Sequence, residues 1–360
     1  MPDDQTTETA VRTALAEFKD PETGRSITQL EQVHGLRLDG PRLSVTLGLT
    51  TWSAPIQEQT RAELVEHLGK RFPGLKVAVD LAIHERKPEK LGEIGLAVKT
   101  IVAVGSGKGG VGKSSIAAYL ACGLRRAGCQ VGLMDADVYG PSIPHLLGAR
   151  ERPYVVGDRI QPVVVDGLQV MSMGFLIPEG EAVIWRGPML HTALTQFLRD
   201  TAWGALDYLI IDMPPGTGDV ALSLSQLLPL TGAVIVCTPQ DVALLDAVKA
   251  IAMFRKVQVP VLGMVENMSF FLCPHCNGRS DIFGSGGAKR RAAELGVPFL
   301  GEVPISTALR IQADQGKVSA AFDEPTARPY LEAICRNFVG NLVAQHRQRP
   351  TLPTLPVLGG

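Results

Sequence analysis

The sequence predicts an α/β protein, a doubly wound and mainly parallel sheet preceded by a small α+β domain. Three observations carry that prediction. From about Lys99 onward, short apolar runs rich in β-branched residues alternate with stretches long enough to be helices. The first of these runs, Ile101–Val104, leads into a glycine-rich turn. Residues 5–83 follow a different grammar, with helical spacing and strand-like alternation in turn.

In this first part, Val11, Leu15 and Phe18 recur at helical spacing, and Asp20-Pro21 ends the helix. Strand-like runs are expected at Ile27–Leu38 and Leu43–Leu49, joined by the turn Asp39-Gly40-Pro41. A second amphipathic helix is expected from about Pro55 to Phe72, and Lys76–Ile83 alternates as a strand does. The small domain is therefore placed at residues 1–85. The stretch His84-Glu85-Arg86-Lys87-Pro88-Glu89-Lys90 has almost nothing to bury, and residues 86–95 are expected to be a linker.

The larger domain is placed at residues 96–346. Its strands are expected at Ile101–Val104, Gln130–Met134, Leu168–Met173, Tyr208–Asp212, Ala233–Cys237, Val261–Val265 and Phe299–Val303. Runs apolar almost throughout are what strands covered on both faces of a parallel sheet look like. Helical crossovers must then join them. The last helix is expected from about Ala327 to His346. Residues 347–360, with three prolines and two terminal glycines, are expected to be a flexible tail.

Composition excludes several classes. A hydrophobic fraction of 45% can bury a real core, so a disordered chain is ruled out. Thirty-five basic against 36 acidic residues give a net charge of −1, which argues against binding nucleic acid or a membrane by bulk charge. The polar, acidic stretch Met1–Thr9 lacks the pattern of a secretory signal, and Ala221–Cys237 is too broken to span a bilayer. The expected location is the cytoplasm. Six cysteines in 360 residues are too few for a disulfide scaffold, so they are expected to be thiols or metal ligands.

Directly after the first strand of the larger domain stands Gly107-Lys108-Gly109-Gly110-Val111-Gly112-Lys113-Ser114, followed by Ser115. The pattern G-x-x-x-x-G-K-[ST] between a strand and a helix is a phosphate-binding loop. Its glycines let backbone N–H groups face phosphate oxygens, and the helix N-terminus adds partial positive charge. Lys113 is expected on the β- and γ-phosphates of ATP, with the Ser114 hydroxyl on Mg²⁺. Two later strands end in Asp135-Ala136-Asp137 and Asp212-Met213-Pro214-Pro215-Gly216. Ligands of open α/β sheets gather at the carboxyl ends of strands, so these carboxylates converge on the same site. Asp212 and Asp135 are expected at the metal, Asp137 at the attacking water, and the Gly216 N–H at the γ-phosphate.

The loop with its additional Lys108 resembles the deviant Walker A motif of the P-loop ATPases that include MinD, ParA and the nitrogenase iron protein. That resemblance implies that Lys108 reaches the partner's phosphates in a homodimer.

The second chemical feature is Cys273-Pro274-His275-Cys276. A C-x-x-C pair can chelate a soft metal, share a cluster or cycle as a dithiol. One pair cannot fill a four-thiolate shell. Cys122, Cys129, Cys237 and Cys335 stand apart, mostly within apolar runs, and read as packing residues. Two copies of the chain would supply the missing pair.

The segments around the pair sharpen the resemblance. Val265-Glu266-Asn267-Met268-Ser269-Phe270-Phe271-Leu272, the cysteine pair, and Ile282-Phe283-Gly284-Ser285-Gly286-Gly287 resemble the Mrp (ApbC) group of iron–sulfur cluster carrier ATPases. So do Asp135–Ser142, Trp185-Arg186-Gly187-Pro188-Met189 and Asp212–Asp219. The resemblance implies that Cys273 and Cys276 hold a labile cluster, of [4Fe–4S] type, bridging two subunits and passed on to apo-proteins and assembly factors. It also implies that Asn267 contacts the adenine. The first 83 residues resemble a small domain of iron–sulfur assembly factors, which often carries a cysteine where this chain has Ala54. The competing expectation is a MinD- or ParA-like positioning ATPase acting on membrane or DNA, which would leave both cysteines idle.

Overall fold

The computed structural model describes residues 8–348 apart from 92–94, 139, 177–186, 219–220, 223–224, 226–227, 274 and 277, with backbone alone at 187–191 and 348. Tyr139, Trp185, Arg186, Asp219, Pro274 and residues 349–360 thus lie outside the described residues. Contacts divide the chain into two compact units. Among the described residues, one holds 8–84 and 339–348; the other is Glu85–Phe338.

The first unit opens with α1 (Glu8–Glu17), followed by β1 (Val33–Asp39), β2 (Arg42–Leu49), α2 (Gln57–Arg71) and β3 (Lys76–Ile83). β1 and β2 form the expected hairpin, and β3 returns parallel to β2 after the α2 crossover. Val11, Leu15, Leu43, Leu47, Leu64 and Leu68 are fully buried between helices and sheet. The strand expected from Ile27 begins only at Val33. Ile27 is buried in a turn instead, where Gln32 Nε2 donates to Asp20 Oδ1 at 2.9 Å. Residues 339–346, which the sequence reading assigns to the larger domain, group here: His346 stacks on Trp52 at 5.7 Å, and Arg347 donates to Glu63 at 3.2 Å.

The second unit begins with β4 (Lys90–Leu91) and β5 (Leu96–Ser106), then α3 (Lys113–Ala127), β6 (Val131–Asp135) and α4 (Ile143–Leu147). Four short strands follow: β7 (Tyr154–Val156), β8 (Arg159–Gln161), β9 (Val163–Val165) and β10 (Leu168–Ser172). Next come α5 (Gly187–Asp200), β11 (Leu206–Asp212), β12 (Gly232–Cys237), α6 (Asp241–Lys256) and β13 (Val261–Glu266). The chain finishes with β14 (Phe271–Leu272), β15 (Arg279–Ser280), α7 (Gly287–Glu294), β16 (Phe299–Glu302), α8 (Thr307–Asp314) and α9 (Arg328–Gln348).

Among the described residues the sheet has nine strands, ordered β16-β13-β12-β5-β11-β6-β10-β9, with β4 on β5. Every pairing is parallel except β9 on β10 and β4 on β5. Each residue of β11 and β12 is buried, as uninterrupted apolar runs require of central strands covered on both faces. The fold is the mainly parallel doubly wound sheet that the sequence predicts. β5, β6 and β11 lie side by side, so their carboxyl ends open at one point on the sheet's edge. There the site is built.

Candidate nucleotide site and thiol hairpin

The loop after β5 holds its shape through close approaches that only glycine permits. A Cβ on Gly107 would lie 2.0 Å from the Asp246 carbonyl oxygen, so no side chain fits where α6 passes. Gly110 and Gly112 have φ of +80° and +78°, the left-handed region that L side chains rarely adopt. A Cβ on Gly112 would also fall 2.1 Å from Asn267 Nδ2. Asn267 is buried and donates through Nδ2 to the Val111 carbonyl at 2.9 Å, so the end of β13 pins the loop. The Ser106 hydroxyl donates to the Lys108 carbonyl at 2.9 Å. Lys113, Ser114 and Ser115 form the first turn of α3, with both serines half-buried.

Opposite the loop, β6 and β11 end in register, Asp135 beside Asp212. The Lys113 ammonium lies 2.5 Å from Asp212 Oδ1 and 3.4 Å from Asp137 Oδ2. Asp135 Oδ1 accepts from the Asp137 N–H at 3.1 Å. Its Oδ2 accepts from the Ile143 N–H at 3.1 Å and the Ser172 hydroxyl at 3.0 Å. Burial, and next the charge of Asp212, push Asp135 up to about 7 against those hydrogen bonds. Burial likewise raises Asp212, with Lys113 and then the Ser114 hydroxyl acting the other way.

Two carboxylates thus contact one lysine, and the third, Asp135, lies beside Asp212. Asp212 Oδ2 is buried with no hydrogen-bond partner. An orphaned carboxylate oxygen beside a serine hydroxyl, in an excess of negative charge, fits a hard divalent cation such as Mg²⁺. The Gly216 N–H is engaged by the Ser106 carbonyl at 2.9 Å, so meeting a phosphate requires that bond to open. Lys108 is half-buried and has no ion-pair partner among the described residues.

The cysteine pair sits apart from this cleft. β14 and β15 form a short antiparallel hairpin after β13, and the Cys273 N–H closes it on the Gly278 carbonyl at 3.0 Å. Cys273 is half-buried, and Cys276 and His275 are exposed. Backbone N–H groups of His275 and Cys276, then the Cys276 thiol, lower the Cys273 pKa from the ordinary thiol value. The other thiols differ: burial pushes Cys122, Cys237 and Cys335 up to about 12. Among the described residues no group of three His, Cys, Asp or Glu side chains converges to hold a metal. One chain offers two thiols.

A chain with a loop of this sequence, a carboxylate cluster and a thiol hairpin matches a known family. The model of the ParA family, described as NUBPL iron-transfer P-loop NTPase, matches residues 97–339. The chain belongs to this P-loop NTPase family. A second model, of iron–sulfur cluster assembly proteins, matches residues 8–81. The iron–sulfur cluster carrier protein of Deinococcus radiodurans is 45% identical over 97% of this chain and 99% of its own length. That of Escherichia coli K12 is 43% identical over 92% and 90%. Among solved structures, the nucleotide-binding protein of Archaeoglobus fulgidus in complex with ADP is 41% identical, covering 63% of this chain and 90% of its own, with a TM-score of 0.57. The cell division ATPase MinD of Pyrococcus furiosus, at 21% identity over 66% of this chain and 97% of its own with a TM-score of 0.50, shares the fold alone. Among the described residues no helix is long and apolar enough to cross a membrane.

For this P-loop NTPase the structure also places residues that sequence reasoning passes over. Ser172 holds Asp135, and Asp246 presses on Gly107. Glu266 is buried at the end of β13, where a lone acid closing an apolar strand is a readable signal. Arg279 and Glu302 bond at 3.2 Å but stand 23 positions apart with no local pattern to join them.

Proposed function

We propose that this chain is an ATP-hydrolysing carrier that assembles a labile iron–sulfur cluster between two copies of itself and transfers it to apo-proteins. The observation that carries this reading is the pair of accessible thiols on a separate two-stranded hairpin that follows β13, a strand of the sheet that holds the nucleotide loop. Relatives named as iron–sulfur cluster carriers, matching over nearly the whole chain, support it. A cluster that must leave is better held on a short surface hairpin than in a dry core. Cys273 and Cys276 supply two thiolates, and a second copy supplies two more, enough for a [4Fe–4S] cargo.

At the nucleotide site, Lys113 leaves its two aspartates for the phosphates of ATP. Ser114 and Asp212, with Asp135 behind them, hold Mg²⁺, which supplies charge neutralisation of the phosphate oxygens. The loop N–H groups from Gly107 to Ser115 cradle the phosphates, and Asp137 orients the attacking water. The Gly216 N–H turns to the γ-phosphate, and Asn267 lies where the loop meets the base. The unpartnered Lys108 crosses to the phosphates of the second copy. With transition-state stabilisation split between two subunits, hydrolysis is slow in the monomer. The recipients are apo iron–sulfur proteins and assembly factors, and the site of action is the cytoplasm.

Anaerobic reconstitution with iron and sulfide tests the reading. The wild type should gain a cluster chromophore at one per two chains, and Cys273→Ala or Cys276→Ala should lose it. Equal cluster content in both variants and the wild type would overturn the assignment.

A further inference from the structure

Two sets of polar contacts, joined by the peptide bond between Glu266 and Asn267, tie the thiol hairpin to the nucleotide loop. Asn267 grips the loop through Val111, and its neighbour Glu266 is fully buried. Glu266 Oε1 accepts from the Ser269 hydroxyl at 2.6 Å and the Gly286 N–H at 3.0 Å, while Oε2 accepts from the Ala288 N–H at 2.7 Å. Ser269 Oγ also lies 2.9 Å from Glu302 Oε2. A serine hydroxyl carries one hydrogen, so two carboxylates share it. Each carboxylate has its own compensation. Glu266 sits on N–H groups at the start of α7, and Glu302 Oε1 accepts from Arg279 Nη1 at 3.2 Å.

Arg279 ends the second set and stands three residues beyond Cys276. Its Nε donates to Asp281 Oδ1 at 2.9 Å. Its guanidinium lies 3.9 Å from the ring centroid of Phe270, a fully buried ring packed edge-on to Tyr330 at 5.3 Å. With two carboxylates and an aromatic face around it, the guanidinium is committed to the protein rather than to a ligand. A two-stranded ribbon this short has no stability of its own, so what its base touches sets where its tip stands.

We propose that Arg279 is a positioning residue for Cys273 and Cys276, and that Ser269, Glu302 and Arg279 relay the state of the nucleotide loop to those thiols. The carrier reading enters only in what the thiols hold. When phosphate contacts move Val111, Asn267 follows or gives up its bond, and Glu266 carries the shift to the shared hydroxyl. Without Arg279, Glu302 faces Glu266 uncompensated across Ser269, and the base of the hairpin parts from β16.

The test reads the thiols of the cluster-free protein. Iodoacetamide labelling of Cys273 and Cys276 is followed by peptide mass spectrometry, with and without Mg²⁺ and a non-hydrolysable ATP analogue. In the wild type, nucleotide should change the labelling rate roughly fivefold, the low end of coupling between two sites. Arg279→Ala and the isosteric Glu302→Gln should bring that ratio to about one with nucleotide affinity unchanged, and Arg279→Lys should restore part of it. A wild-type rate indifferent to nucleotide, or variants that keep the wild-type ratio, would overturn the proposal. Should Arg279→Ala fail to fold, Glu302→Gln decides. A nucleotide-dependent labelling pattern in a protein that takes up no cluster would sink the carrier reading and leave this one standing.

Discussion

The ammonium of Lys113 and the carboxylate of Asp212 meet at 2.5 Å in a place where neither is exposed to water. The lysine starts helix α3 and the aspartate ends strand β11, so the contact joins the loop to the central sheet. Removing one partner of a buried pair leaves the other charge uncompensated, at a cost of about 3 kcal/mol. Lys113→Ala should therefore lower stability in nucleotide-free urea denaturation as well as abolish ATP hydrolysis. Adding Asp212→Asn should recover most of the stability and none of the activity. An Ala variant as stable as wild type would show that the pair contributes nothing.

The glycines of the loop should not be equivalent. Gly107→Ala places a methyl 2.0 Å from the Asp246 carbonyl, and Gly112→Ala adds a positive φ to a clash with Asn267. Both should lower the melting temperature. Gly109 has open space at its Cβ position and no positive φ, so Gly109→Ala should melt like the wild type. Thermal melts of the three variants separate these cases.

Lys108 has no ion-pair partner among the described residues, so Lys108→Ala should leave folding and ATP binding intact. Its effect should appear in turnover at high protein concentration, where two copies meet, as a loss of roughly tenfold or more. A variant whose turnover per chain matches the wild type at every concentration would refute a role in trans.

The thiols should divide two and four. Cys273 and Cys276 are accessible, whereas Cys122, Cys129, Cys237 and Cys335 are buried. Burial raises the thiol pKa, so at pH 8 the buried groups carry almost no thiolate, and thiolate is the form that reacts. Iodoacetamide should add two groups to the native protein and six after denaturation. Intact mass would reveal a third rapidly labelled thiol and contradict the burial.

The parts of the molecule that announce themselves in sequence are those built from neighbours. The loop Gly107–Ser114, the buried strand Tyr208–Asp212 and the pair Cys273/Cys276 each occupy a short window whose spacing marks it out, although the pair's spacing leaves chelation, cluster sharing and dithiol cycling open. Ile27 misleads because burial in a turn and burial in a strand leave the same apolar mark. The strands between Tyr154 and Val165 pass unnoticed because their side chains are largely exposed and alternate with turns at Gly157 and Gly167. Asn267 and Val111 are 156 positions apart, and only folding makes one the clamp of the other. Long-range polar pairs of this kind have no periodicity to betray them.

The cysteines stand on an outgrowth of two-residue strands, while Asp135 and Asp212 end buried strands of the central sheet and the lysines stand on the loop and helix that follow β5. The thiol-bearing segment lies outside the strand pairing of that sheet. A change in the length or composition of the segment between Leu272 and Arg279 leaves every strand pairing of the central sheet in place. A change at Asp212 or Gly107 disturbs everything.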